Sequence, residues 1–573
     1  MKDRVNQDIG AKGLLRDWAD INWKLVKKRV RNLRQRIYRA SQQGEWKKVR
    51  SLMKLMLRSY SNLLLAVRRV TQENQGKQTP GVDNEVALDP KDRVHLTIKM
   101  RKLTPWKAKP TKRVYIPKSN GKRRPLGIPT IQNRVAQAIV KNALEPYWEP
   151  HFEPNSFGFR PGRSCHDAIA QVWLRCNNKT ADTWILDADI KGAFDNISHK
   201  YVLNAIGKAP GRELIKQWLK AGYVENEIFK ATESGTPQGG VISPLLANIA
   251  LNGLEEYLNQ FTEKRYYDRK PGSKGTGKAS LIRKRYGYIR YADDFIITAQ
   301  SREEIEAIVP KVREWLKERG LELNENKTKI CKTEKGFNFL GFHVIRHGKC
   351  LTFPEKEKVL AFLRELRQWL KTNKETTPEM VVRYLNPRLR GFANYYRFGA
   401  SKRVFSYIDY QVWKMLWRWS TRKHPKKKLW WIMGNYFKPY RNRSKVFTAI
   451  VKDRRGKLTP MSVISIADIP IERHVKVKGN ASPDDSSLKE YWDKRRTKYG
   501  KSYWSKGTKL RKVAENQGWK CPICAEHLLN GEDLHTHHKI KISEGGDDGV
   551  KNLVHLHKAC HLQLHKKERR LDA

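Results

Sequence analysis

The chain has 573 residues, and its 116 Lys and Arg outnumber 58 Asp and Glu, a formal net charge of +58. Such an excess repels itself and draws polyanions, so nucleic acid is the expected partner and an anionic membrane surface the second choice. No apolar run reaches the roughly 18 residues of a membrane span, the start Met1-Lys2-Asp3-Arg4-Val5-Asn6 lacks an apolar signal core, and three of the seven cysteines cluster near the end, which suits a reducing, cytoplasmic setting with one metal site better than a disulfide framework.

From Leu14 to Thr71 apolar residues such as Trp18, Ile21, Leu25, Val26, Val30, Leu33 and Ile37 recur at three- and four-residue spacing, which predicts helices, with a second one starting near Gly44. Between Asn22 and Thr71 stand fifteen Lys/Arg and a single acid, Glu45; that imbalance favours a phosphate-binding surface over a merely solvated face. Residues 72–350 mix strands, helices and turns. Arg113–Lys118 and Arg124–Pro129 flank a Ser119-Asn120-Gly121-Lys122 turn, a hairpin signal. A helix over Arg134–Leu144, one capped near Ser164 and one over Ser243–Tyr257 follow, and Lys264–Lys284 reads as a polar, glycine-rich solvent loop. Residues 351–470 return to helices. Tyr410–Lys452 holds twelve Lys/Arg, no acid and five tryptophans, a composition suited to irregular nucleic acid, although Trp413 and Trp417, four apart, suit core packing. Residues 478–520 read as a polar linker before a compact module from Trp519 onward.

The richest chemistry lies in Gly287-Tyr288-Ile289-Arg290-Tyr291-Ala292-Asp293-Asp294-Phe295-Ile296-Ile297. Two apolar runs around adjacent acids predict a β-hairpin carrying the carboxylates at its tip. Adjacent acids repel, and a multivalent cation is the natural compensation. Trp184–Asp189 reads as a strand ending in another acid. Asp189 and Asp293 together suit a pair of Mg²⁺ ions that neutralise the attacking and leaving oxygens of phosphoryl transfer. Near the end, Cys521-Pro522-Ile523-Cys524 and His557-Lys558-Ala559-Cys560 share a two-residue gap, which predicts a tetrahedral Cys₃His zinc site. His561 and His565, four apart on a helix, share a face and suit a second cation.

The boxes Asp189-Ile190-Lys191-Gly192-Ala193-Phe194-Asp195-Asn196-Ile197, Pro237-Gln238-Gly239-Gly240-Val241-Ile242-Ser243-Pro244 and Tyr291-Ala292-Asp293-Asp294 resemble those of reverse transcriptases. Joined to Gly127-Ile128-Pro129-Thr130, Phe157–Ser164, Leu323–Lys329 and Phe339-Leu340-Gly341-Phe342, the chain resembles the multifunctional proteins encoded by bacterial group II introns. Leu385–Tyr396 and Trp417-Arg418-Trp419 look like their maturase domain, and the region 519–573 is similar to HNH endonucleases, with His557 standing where that family normally has cysteine.

The resemblance implies a multidomain α+β fold: right-hand polymerase fingers and palm, an α-helical thumb and a small ββα-metal module. It implies a basic RNA-binding extension over 1–80, fingers and palm over 81–350, the thumb or maturase domain over 351–475, a DNA-binding linker over 476–518 and the nuclease over 519–573. Asp189, Asp293 and Asp294 would be the polymerase acids; Lys118, Arg124, Ile190, Phe194, Gln238 and Lys327 would surround the incoming deoxynucleotide, Phe194 blocking a ribose 2′-hydroxyl. In the nuclease, His538 would activate water, Asn552 would orient it through a hydrogen bond, and His537, His561 and His565 would hold Mg²⁺, Mn²⁺ or Zn²⁺; His535 and His555 would be surface residues. The implied partners are intron RNA in a lariat ribonucleoprotein, duplex target DNA and dNTPs, with no membrane. A splicing-only maturase and a retron or defence reverse transcriptase are the alternatives.

Overall fold

The computed structural model describes residues 15–102, 106–117, 121, 123–177, 182–236, 238–268, 278–440, 442–452, 458–504 and 508–571; Leu14, Lys118 and Pro237 lie outside them. Three amino-terminal helices, Trp23–Gln42, Trp46–Arg58 and Tyr60–Arg68, pack around the helix Ile131–Trp148. That helix is buried nearly all round, as a central helix must be, and Thr130 caps it by accepting from the Asn133 N–H at 3.2 Å. Trp23, Val26, Val30, Leu33 and Ile37 form the inward stripe of the first helix while Lys24, Lys28, Arg36 and Arg39 face water, as the periodicity predicts. Not every cation stays on that outer face. Arg34 is drawn inward to Asp484 at 2.7 Å and Glu145 at 2.9 Å, and Arg68, 1% exposed, sits among Glu73 and Glu532.

At the centre lies a four-stranded antiparallel sheet in the order Lys329–Lys332, Trp184–Asp189, Asp294–Ala299, Gly287–Tyr291. Its two faces feed different cores. Leu186, Ala188, Phe295 and Ile297 join the core of the amino-terminal helices, whereas Ile185, Ile289 and Ile296 pack with Phe157, Ile169 and Val172. This is the two-residue alternation of a strand buried on both faces, and it fixes the register at the tip, where a slip of one residue would exchange the faces. The hairpin expected after Thr111 forms, Thr111–Pro117 pairing with Arg123–Ile128, and extends to Tyr223–Glu225 and Ile228–Lys230.

Four expectations need correction. Lys264–Lys284 is not simply a loop: Thr262–Asp268 pairs with Lys278–Lys284. The helix expected over Ser243–Tyr257 breaks into Ser243–Ala250 and Leu254–Asn259, because Gly253 adopts φ +102°, outside helical space. Within 351–470 the helices give way to a three-stranded sheet over Phe437–Tyr440, Arg443–Lys452 and Leu458–Ser462. The polar stretch after 478 holds the helix Lys489–Tyr503, whose Trp492 is 4% exposed and covers Gly162. Asp167, fully buried, accepts from His474, Arg495 and the Val477 N–H, which fastens this stretch to the central unit. Trp413 and Trp417 stack in parallel at 6.1 Å against Phe437, half-buried, whereas Trp430 is 71% exposed.

Candidate active sites

The hairpin Gly287–Ala299 turns through Ala292 and Asp293, with Ala292 at φ +61°. A non-glycine residue there is strained and must be held. Arg290, 1% exposed, donates from Nη1 to the Ala292 carbonyl and to Asn248 Oδ1, both at 3.1 Å, and Asn248 in turn donates to the Gly158 carbonyl at 2.9 Å. Gly158 must be glycine because a Cβ there would run into the Ala292 backbone. Thus the Phe157–Ser164 loop braces the turn from outside.

The bracing brings the three acids to one end of the sheet. Asp189 stands directly opposite Asp294 in the ladder, and Asp293 is next to it in the turn. Lys327 Nζ donates to Asp189 Oδ2 at 2.9 Å and Asn324 Nδ2 at 3.0 Å, while the Asn324 N–H binds the Asp189 carbonyl at 2.8 Å. Burial, aggravated by Asp293, Asp189 and Asp187, pushes the Asp294 carboxyl up to about 6. Asp187, two residues before Asp189 on the same strand face, is likewise raised to about 6 by burial, against the pull of Lys329. The tip therefore holds more acid than its neighbouring cations neutralise, which is the donor set a hard divalent cation fits.

Residues expected to surround the nucleotide lie towards the same end. Arg124 Nε donates to Gln238 Oε1 at 2.8 Å, the Gly127 N–H binds the Gln238 carbonyl at 2.8 Å, and Gln238 Nε2 reaches Asp195 Oδ2 at 3.5 Å. Phe194, 7% exposed, meets Phe159 edge-on at 6.0 Å. Ile190 is buried and bridged to Leu323 through the backbone. Lys118 lies outside the described residues.

Among the described residues two clusters bring their Cys, His, Asp or Glu ligand atoms within 4.8 Å of one another, and both are in the carboxy-terminal module. The first is Cys521, Cys524, His557 and Cys560, all buried. Hydrogen bonds from the Cys524 and Cys560 thiols hold the Cys521 sulfur far below the ordinary thiol range. His557 Nδ1 lies 3.3 Å from Cys524 Sγ, and Nε2 faces the His527 and Leu528 carbonyls at 3.3 and 3.2 Å. Carbonyls only accept, so the proton belongs on Nε2 and the Nδ1 lone pair is free for a metal.

The second cluster is His537, His561 and His565, with the last two Nε2 atoms 3.1 Å apart. The strands Leu534–His538 and Leu553–His557 and the helix Lys558–Leu571 position it. His538 Nε2 lies 2.7 Å from Asp548 Oδ1. The expected bond from Asn552 to His538 is replaced by another role: Asn552 accepts from the Ile540 N–H at 2.8 Å and donates to the Ile540 and Asp547 carbonyls, holding the loop between the strands. His555 is not a surface residue; it is 1% exposed and stacked on Trp504 at 4.7 Å. His535 is half-buried against His561.

A braced acid hairpin and a two-cluster histidine–cysteine module define the class: a nucleic-acid polymerase joined to a metal nuclease. The chain matches the family of reverse transcriptases (RNA-dependent DNA polymerases) over residues 116–344, the N-terminal domain of reverse transcriptase over 18–100, the group II intron maturase-specific domain over 359–437 and the HNH endonucleases over 521–567. It is 37% identical over 309 residues to the protein YkfC of Escherichia coli K12, covering 49% of this chain and 80% of that one. It is 30% identical over 417 residues to the group II intron-encoded protein LtrA of Lactococcus lactis subsp. cremoris, covering 59% of this chain and 69% of LtrA. The chain belongs to the group II intron-encoded proteins: a reverse transcriptase and maturase with an HNH endonuclease, the multifunctional protein of retrohoming.

Proposed function

We propose that Asp189 and Asp293, assisted by Asp294, hold the polymerase cations, in a right-hand arrangement with fingers and palm over 81–350, a thumb over 351–475 whose helices carry a three-stranded sheet, and the basic extension over 1–80. Mg²⁺ held there supplies the charge that stabilises the attacking and leaving oxygens of nucleotidyl transfer. The ladder pairing of Asp189 with Asp294 carries this reading, because it joins acids remote in sequence at one sheet end. Lys327 neutralises Asp189 until substrate arrives, then faces the primer terminus. Arg124 and Lys118 grip the triphosphate, Gln238 lies against the nascent pair, Ile190 supports the nucleotide through its backbone, and Phe194 excludes a ribose 2′-hydroxyl. In the test, Asp293→Ala abolishes cDNA synthesis on a primed RNA template and leaves assisted splicing intact. Equal loss of splicing with RNA binding retained contradicts the separation of roles.

In the nuclease, His537, His561 and His565 are the ligands for a divalent ion, and Cys521, Cys524, His557 and Cys560 take structural zinc. Asp548 ties up His538 Nε2, which leaves Nδ1 to take the proton from the attacking water. Asn552 keeps the loop that carries Asp547 and Asp548 in place. The protein binds its intron RNA as a lariat ribonucleoprotein through the exposed basic helices, uses the 476–518 stretch and the nuclease on duplex DNA, nicks one strand and extends the freed 3′ end with dNTPs. It acts in the cytoplasm, at the nucleoid; among the described residues no helix is long and apolar enough to cross a membrane.

A further inference from the structure

Two cations of the amino-terminal helices approach the sulfurs of the Cys521/Cys524/His557/Cys560 cluster from outside the nuclease module. Arg68 Nη2 lies 3.9 Å from Cys560 Sγ and 2.7 Å from Glu532 Oε2, while its Nε donates to Glu73 at 2.9 Å. Lys27 Nζ lies 3.9 Å from Cys524 Sγ and 2.6 Å from the other Glu532 oxygen. Arg68 is 1% exposed and its guanidinium covers the Trp23 ring at 4.6 Å, so its position is set by packing as well as charge. The rim of the same contact holds an Arg31–Glu526 pair at 3.1 Å, and Gln563 Nε2 donates to the Ala19 and Ile21 carbonyls at 2.7 and 2.9 Å.

Glu532 and Glu73 already balance the charge of the two cations, so what remains to be explained is why their N–H groups also face sulfur. Placing a buried arginine and a lysine against neutral thiols gains little, whereas N–H donors against thiolates are charge-assisted. A divalent ion with three thiolates and a neutral histidine leaves one net negative charge on the cluster, which makes the sulfurs better acceptors for these N–H donors. Outer donors of this kind tune metal affinity by about 10–100-fold. What is unusual is their source: both come from a part of the chain more than 490 residues away in sequence.

We propose that Lys27 and Arg68 are outer donors to the metal-bound thiolates, so that zinc loading of the nuclease and its docking on the amino-terminal helices are one coupled equilibrium. The inference rests on the zinc reading of the cluster. By linkage, whatever loosens the docking loosens the metal, and the reverse. A loaded nuclease is thereby held at a fixed place beside the polymerase, and an unloaded one is released.

The test uses the full chain and three readouts: metal content, the rate of zinc release to a chromogenic chelator, and hydrogen exchange across Trp23–Gln42. Lys27→Met is expected to release zinc about tenfold faster, and Lys27→Arg to restore the rate. Arg31→Glu, which touches no sulfur, is expected to raise exchange along the helix and to speed zinc release with it. One zinc per chain with an unchanged release rate in Lys27→Met overturns the inference and spares the zinc site, as does an Arg31→Glu interface that opens without faster release. A freshly purified chain without zinc overturns both.

Discussion

At the tip of the Gly287–Ala299 hairpin the acids stand open and repel one another, whereas in the carboxy-terminal module four ligands are already closed on a common centre. Asp294, though its side chain reaches solvent, is pushed up to about 6 by the protein packed around it and by its acidic neighbours, and Lys327 occupies an oxygen of Asp189. The cysteine cluster instead has all its ligand atoms within 4.8 Å and its histidine tautomer fixed by backbone carbonyls. On the proposed reading the difference separates two uses of a cation. A site that must admit substrate phosphates keeps its charge uncompensated and its geometry incomplete; a site that holds a fold together completes both in advance.

The sharpest way to break that contrast is to remove a ligand from each. Structural zinc in small modules contributes on the order of 10 kcal/mol to folding. Cys521→Ala is therefore expected to strip hydrogen-exchange protection from residues 519–565 and abolish nicking, with primer extension retained; a folded, nicking variant would refute the structural role. Next in size, His538→Ala lowers nicking by about 10²–10⁴-fold, the usual contribution of a general base, with zinc content and polymerisation unchanged. Asp548→Asn, measured alongside it, gives a smaller loss because it disturbs only the orientation of His538.

A third prediction concerns the cations that left the exposed basic face of the amino-terminal helices. Arg34→Leu strands Asp484 and leaves Glu145 with Lys141 alone, both carboxylates being buried, and should cost about 3 kcal/mol in chemical denaturation. Arg36→Leu, on the exposed face, should cost no measurable stability and weaken RNA binding. The smallest effect is at the tip itself. The native Asp294 carboxyl binds its proton more tightly than in the unfolded chain, so its cost to stability is absent below about pH 4, grows up to about pH 6 and is full above it, and solvent screening of the exposed side chain keeps that cost small. Asp294→Asn should therefore raise the melting temperature above pH 6 and not at pH 4, and Mg²⁺ should narrow the gap by stabilising the unsubstituted chain. A gap independent of pH would remove the electrostatic account of the tip.

Much of this was legible in the chain because it depended on local pattern. The acid hairpin, the capped helix after Ser164 and the paired Cys/His doublets each lie within a few residues. What escaped was long-range. Nothing near Arg68 or Lys27 announces Glu532, and nothing in a polar stretch announces that Trp492 will cover Gly162. Sequence composition counted fifteen cations as one surface, but acids from distant segments turned three of them inward. Asp548 has a sequence signal, an acid in the Gly545-Gly546-Asp547-Asp548 loop ten residues after His538, but only the folded loop turns it onto that imidazole. Asp187 had its signal too, a second acid two residues before Asp189 and hence on the same strand face.

The most direct trial of the polymerase assignment is anomalous diffraction from Mn²⁺ in crystals of the protein with a primed RNA template and a non-reactive deoxynucleotide. The account predicts two peaks about 3.5–4 Å apart, touching Asp189 and Asp293 and the triphosphate. Manganese bound away from both aspartates, with the nucleotide seated elsewhere, would contradict it.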